Sequence, residues 1–173
     1  MVEICVARGD TSVFLLEHLR TKGDSRSLLL FNTFTGFASE SVRIELFERG
    51  KNHDEYDKFQ YGDERLLCRN LRGAGYERFR TYKGDTSTFD WSRAAPVGAV
   101  LLDIGLYLPT KRILEAIYPH LCPGGGIVVD DCFADTAWDG PYKSIKNSSA
   151  VAASPLNVRN ARALLSGKSK VSA

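Results

Sequence analysis

No stretch of this sequence is apolar for long enough to cross a bilayer, and Met1 to Val6 carries neither a basic leader nor a cleavable apolar segment. A spanning protein and a secreted one are both disfavoured, and a cytoplasmic chain is expected. An excess of charge is lacking too. The formal net charge is +2, with the basic residues scattered along the chain, so there is no electrostatic footprint for nucleic acid. Cysteine is sparse: Cys5, Cys68, Cys122 and Cys132 include no C-x-x-C pair, which predicts reduced packing residues rather than a disulfide or zinc set. Internal repeats and low-complexity blocks are missing as well. So is G-x-G-x-x-G, because Cys5 and Ala7 stand at its early positions, which disfavours a dinucleotide site and a nicotinamide dehydrogenase with it. What remains, 43% hydrophobic and 25% charged over 173 residues, predicts one globular domain with a sizeable core.

The apolar pattern alternates between strands and helices. Val2 to Ala7 reads as a first strand, then a turn at Arg8, Gly9 and Asp10, then a helix over Ser12 to Leu19 capped by Asp10 or Thr11. Ser27 to Phe31 is a second strand leading to Asn32, Thr33 and Phe34, and residues 40 to 49 form a short helix. A polar, aromatic stretch from Lys51 to Gly62 interrupts the pattern as a candidate lid, before a helix from Asp63 to Leu71. A third strand, Glu77 to Lys83, ends at Gly84 and Asp85. Two further apolar runs, Ala99 to Asp103 and Gly126 to Asp131, flank a helical pattern through Ile113, Leu114, Ile117 and Leu121. The order βαβαβαβαβ predicts an α/β fold, a Rossmann-like doubly wound sheet, mostly parallel, with helices on both faces. After Gly140 the periodicity fades, and GKSKVSA at the end reads as frayed.

Such a sheet binds ligands beyond the carboxyl ends of its strands, and three carboxylates are predicted to gather there: Asp103, Asp130 and Asp131. Converging carboxylates need neutralising, and an all-oxygen set suggests Mg²⁺ ahead of Ca²⁺ or Mn²⁺. Taken alone, the Asp130–Asp131 pair reads as a helix cap beside a solvated acid; adding Asp103 favours the metal. Gly9 permits close backbone approach. Glu3, inside the first strand, is expected to accept hydrogen bonds or meet a ligand cation, unless that strand is an exposed edge. Asn32 stands where a ribose-binding acid is usual and can still bond a hydroxyl. Asp85 is either an acceptor for an adenine amino group or a turn residue after Gly84.

Together, VEICVARGDTS, FNTFTGF, YKGDTSTF, VLLDIGLYLPTKRILEAIYPHLCPGGGIVVDDCF and WDG resemble the macrocin O-methyltransferase-like family of class I S-adenosylmethionine-dependent methyltransferases. The resemblance covers roughly residues 2 to 143 and makes residues 1–145 the methyltransferase-like domain, with 146–173 a weakly structured segment. It implies S-adenosylmethionine held by Glu3, Gly9, Asn32, Thr33, Phe34, Gly84, Asp85 and Asp103, and Mg²⁺ held by Asp103, Asp130 and Asp131. The implied reaction is O-methylation of a small-molecule hydroxyl, of a sugar or a glycosylated natural product. Departures accompany the match: Cys5 where the family has Gly, Asn32 where it has Asp, Gly105 where it has a second Asp as presumed base, no leading helices, and no recognisable pair of closing strands. The general base is therefore unassigned. His120 is excluded by lying at the far edge of the sheet, while His53, Asp135 and Asp139 sit on nearer loops. The departures also raise the alternative of a catalytically silent, methyltransferase-like binding or partner subunit. An uncovered sheet edge would suit a homodimer.

Overall fold

The computed structural model describes residues 1–56, 59, 62–148, 156–159 and 162–166. Seven strands form one sheet: β1 (Val2–Ile4), β2 (Leu28–Asn32), β3 (Phe79–Lys83), β4 (Val97–Leu102), β5 (Leu121–Val129), β6 (Leu156–Arg159) and β7 (Arg162–Ser166), in the spatial order β3-β2-β1-β4-β5-β7-β6. The first five are parallel; β7 runs antiparallel to both β5 and β6. The helices are α1 (Asp10–Thr21), α2 (Ser39–Arg43), which continues as a π-helical turn over Ile44–Glu48, α3 (Glu64–Gly73), α4 (Tyr107–Ile117) and α5 (Gly140–Asn147). None of the described helices is long and apolar enough to cross a membrane.

Burial on both faces explains why the strand sequences are nearly continuous in Leu, Ile and Val. Val2, Ile4, Val100, Leu102, Ile127 and Val129 pack with Ile113, Leu114 and Ile117 of α4 on one side. Leu28 and Leu30 pack with Leu16 and Leu19 of α1 and Leu67 and Leu71 of α3 on the other. The two layers are held apart by a sheet whose order reverses beside β1, so the loops after β1 and β4 diverge and open a crevice at the carboxyl edge.

Several expected boundaries shift. The first strand ends at Ile4, not Ala7, because Cys5 (φ 72°) and Ala7 (φ 44°) adopt left-handed backbone. The cap of α1 is Gly9 rather than Asp10 or Thr11, and Asp10 becomes the first helical residue, its charge matched to the helix N-terminus. β5 begins at Leu121: the PGG segment that looks like punctuation is accommodated where Cys122 to Gly125 stand opposite Gly98 alone, a bulge between two regular stretches of pairing. The expected loss of the closing strands is wrong. β7 pairs Ala163 to Ser166 with Val129 to Gly126 and is itself covered by β6. The segment 146–173 therefore supplies the end of α5 and two strands, and the uncovered edge that motivated a homodimer lies under β7. The expectation of a frayed GKSKVSA tail falls outside the described residues, as do residues 57, 58, 60 and 61 of the Lys51 to Gly62 stretch.

Leu114 is fully enclosed between α4 and the sheet. Leu114→Ala is expected to lower the unfolding free energy by about 2–5 kcal/mol, read as a shift of the urea midpoint at unchanged slope.

Candidate functional site

A cavity of about 310 Å³ opens in that crevice. Every parallel strand contributes to it: Cys5 and Ala7 follow β1, Asn32 ends β2 and Thr33 follows it, Asp85 and Thr86 follow β3, Asp103 to Leu106 follow β4, and Asp131 follows β5. Phe37, Phe59 and Trp138 complete one wall.

Five of the residues singled out from sequence line the cavity: Asn32, Thr33, Asp85, Asp103 and Asp131. Their local bonds are turn bonds. The Asn32 carboxamide oxygen accepts from the Phe34 amide at 3.4 Å, the Thr33 hydroxyl donates to the Gly36 carbonyl at 2.6 Å, and Asp85 accepts from the Ser87 amide at 2.9 Å. Asp85 is thus a turn residue and a cavity residue at once.

The others do not line the cavity. Glu3 is 3% exposed on a central strand, which removes the edge-strand alternative, and Ser12 Oγ donates to its Oε2 at 2.6 Å. Its pKa is pushed up to about 7, chiefly by burial; the Ser12 hydrogen bond opposes the shift and the charge of Asp103 adds to it. Gly9, with φ 90°, lies against α3: a Cβ there would come within 2.4 Å of Leu67 Cδ1, so helix packing itself requires the glycine, which does not line the cavity. Phe34 is buried in the α1–α3 core with φ 55°. Gly84 donates its amide to the Asn32 carbonyl at 3.0 Å and ties the β2 and β3 loops together.

The expected Mg²⁺ set is not gathered. Among the described residues no group of three or more His, Cys, Asp or Glu side chains is disposed to hold a metal ion. The physical reason lies in the turn after β5. Asp131 has left-handed backbone (φ 54°), and Asp130 Oδ1 accepts the Asp131 amide at 3.0 Å. Asp131 lines the cavity with Asp103 while Asp130 does not. Two carboxylates share the cavity, and the third serves the chain turn.

Sequence reasoning passed over the thiol and the aromatic wall. Cys5 faces the cavity with its pKa pushed up to about 12, by burial first and by the charge of Asp103 second, so it is a neutral thiol. All four cysteines are free. Trp138 makes edge contacts with Tyr56 and Phe59, both at 5.2 Å between ring centroids, and Phe37 lies 5.4 Å from Phe59. The signal was present in FTGF, the polar aromatic stretch and WDG, but only the fold shows that they meet.

Trp138 also explains Gly105. A Cβ at Gly105 (φ 75°) would lie 2.8 Å from Trp138 Cε3, so the indole occupies the space that a side chain at this position needs. Of the loop candidates for a base, Asp139 is 1% exposed and bound by Lys51 at 2.7 Å, Lys143 at 3.1 Å and Arg49. Burial pushes its pKa up, but the hydrogen bonds from Lys51 and Lys143 and the charge of Arg49 outweigh this and hold it below the usual carboxylate range. Asp139 is a structural anion, not a base. His53 and Asp135 are exposed and do not line the cavity, and His120 precedes β5 at the opposite edge, as expected.

The family model described as macrocin O-methyltransferase (TylF) matches residues 1–158. A curated relative from Streptomyces olivaceus, 8-demethyl-8-(2,3-dimethoxy-alpha-L-rhamnosyl)-tetracenomycin-C 4'-O-methyltransferase, is 28% identical over 151 residues, covering 82% of this chain. The chain spans only 56% of that relative's length. Two solved structures share the fold: the calicheamicin methyltransferase CalS11 (TM-score 0.71, 21% identity, 96% of this chain and 71% of that one) and the O-methyltransferase NovP (TM-score 0.74, 18% identity, 97% and 71%).

Glu3 sets a pH test. Its folded pKa of about 7 exceeds the ordinary carboxyl value of 4.5. The protonated form is favoured in the fold, so this contribution to stability is complete below pH 4.5 and lost as the pH rises to about 7. Chemical denaturation of wild type and Glu3→Gln across pH 4.5 to 8 should show the variant gaining relative stability, by about 3 kcal/mol at the top of the range. A second test concerns the indole: Gly105→Asp is expected to destabilise the fold by about 2–4 kcal/mol through overpacking and left-handed strain, with a changed Trp fluorescence spectrum.

Proposed function

The chain belongs to the macrocin O-methyltransferase family, and on that premise we propose that it moves a methyl group from S-adenosylmethionine to a hydroxyl of a sugar, either on a glycosylated natural product or on a sugar nucleotide. The observation that supports this best is the two-ended cavity. One end is framed by Asn32, Thr33, Asp85 and Thr86, groups able to hydrogen-bond a nucleoside's ribose and base. The rest of the lining brings the carboxylates of Asp103 and Asp131 together with the rings of Phe37, Phe59 and Trp138, Asp131 Oδ2 and the indole both standing beside Gly105. A pyranose has the matching polarity, with hydroxyls around its rim and C–H groups on its face. The curated relative acts on a rhamnosyl group.

Methyl transfer is an in-line displacement. The acceptor oxygen forms a bond to the methyl carbon while the carbon–sulfur bond breaks, its electron pair stays on sulfur, and the hydroxyl proton is released. Alignment supplies much of the rate. In this proposal Asp103 and Asp131 accept hydrogen bonds from the sugar and direct one oxygen toward the donor, and the apolar wall keeps water out. The Asp103 charge, which raises the pKa of Glu3 and Cys5, makes this part of the crevice favourable for a cationic sulfonium. Asp103, Asp130 and Asp131 do not form a gathered ligand set, so no step is derived through a divalent ion.

A second reading, a binding module without turnover, is favoured by the indole of Trp138 standing where a base at position 105 would project. Calorimetry with S-adenosylmethionine, combined with transfer of labelled methyl to TDP-rhamnose, separates the two. The enzyme reading expects saturable cofactor binding and label in the sugar nucleotide. Binding without label transfer to that sugar or to rhamnosylated aglycones supports the silent module, and no binding removes both.

A further inference from the structure

Behind the aromatic wall lies a compact set of charges that the proposed chemistry does not use. Glu45, in the π-helical turn after α2, and Asp139, after β5, are each 1% exposed. Arg49 bridges them: its Nη1 donates to Glu45 Oε2 at 2.6 Å and its Nη2 donates to Asp139 Oδ1. Glu45 Oε1 also accepts the Tyr107 amide at 2.6 Å, which supplies the N-terminus of α4 with a carboxylate from another element. Lys51 completes the set, its Nζ reaching Asp139 Oδ1 at 2.7 Å and donating to the Thr136 carbonyl at 2.6 Å. The Arg49 guanidinium stacks over the Tyr107 ring, 5.2 Å from its centroid.

Three chain segments meet in this knot, and each also lines the cavity a few residues away. The segment after β2 carries Phe37 and Ser41, the loop after β4 carries Gly105 and Leu106 just before Tyr107, and the loop after β5 carries Trp138 just before Asp139. Asn32 and Asp85 accept instead from amides of their own loops, those of Phe34 and Ser87. A fork of five fixed donors can bind two carboxylates at once in a set geometry, which an ammonium cannot. Removing it takes the guanidinium from buried Glu45, leaves Asp139 to Lys51 and Lys143, and unlinks the two segments; breaking a buried pair on one side is strongly unfavourable.

We propose that Arg49 is a positioning residue for the half of the cavity that receives the methyl acceptor: by joining Glu45 to Asp139 it fixes Trp138 over Gly105 and sets the width of the cleft between the aromatic wall and Asp103 and Asp131. It touches neither ligand. Its action runs through the loop that carries the indole.

The proposal rests on the reading of that half as the acceptor site, and its test separates the two. Arg49→Met removes the charge, and Arg49→Lys keeps the charge but loses the fork. Three quantities are measured on the full chain: S-adenosylmethionine affinity by calorimetry, acrylamide quenching of tryptophan fluorescence, and KM and kcat for TDP-rhamnose. Trp91 is 2% exposed, so quenching reports Trp138. The expected result is cofactor affinity within about twofold of wild type, quenching raised at least about twofold in Arg49→Met and less in Arg49→Lys, and KM for the sugar raised by about tenfold with the same ranking. Unchanged quenching overturns the proposal, and so does a loss of cofactor affinity in step with it, which would mark Arg49 as a general structural residue. If Arg49→Met does not fold, Arg49→Lys decides by the same criteria. If the wild type leaves TDP-rhamnose unmethylated, it is the choice of acceptor that fails, while quenching and cofactor affinity still judge Arg49.

Discussion

The parallel pairing of β1 between β2 and β4 is the constraint from which the rest of the molecule follows. Val2, Glu3 and Ile4 take Leu29, Leu30 and Phe31 on one side and Val100, Leu101 and Leu102 on the other. Only three residues are paired, yet they align the ends of five strands along one edge. The chain must leave β1 at once, through Cys5 and Ala7 in left-handed conformations that strands do not use. That abrupt exit makes room for the cavity and places Cys5 in its floor.

Among the described residues that line the crevice the charged ones are Asp85, Asp103 and Asp131. Asp103 raises the pKa of Glu3 and of Cys5 alike, so this end of the cleft favours a positive guest. Behind the aromatic wall the opposite holds, with Arg49, Lys51 and Lys143 converging on Asp139. The charges behind the wall thus compensate one another.

The strand order was legible because parallel strands buried on both faces advertise themselves as apolar runs, and so were the carboxylates that end two of them. Asp103 and Asp131 reach the cavity as that logic requires. Asp130 does not line it: its carboxylate accepts the Asp131 amide in a turn where Asp131 is left-handed, and nothing in DD announces that turn. β6 and β7 were missed for a different reason: they are short strands held by backbone pairing with β5 and with each other, which leaves little periodic trace. The ionic knot was illegible by distance, since Arg49 and Asp139 are 90 residues apart and WDG, which holds Asp139, does not announce its partner. Glu3 was the contrary case. A carboxylate in the middle of an apolar strand demanded a partner, and Ser12 supplies it.

The fit between Gly105 and the indole of Trp138 carries an evolutionary consequence. Two positions that compete for one volume cannot drift separately. In this chain a larger residue at 105 is admitted only where the residue at 138 is smaller or turned aside, so the two positions are expected to change together, which an alignment of the family checks.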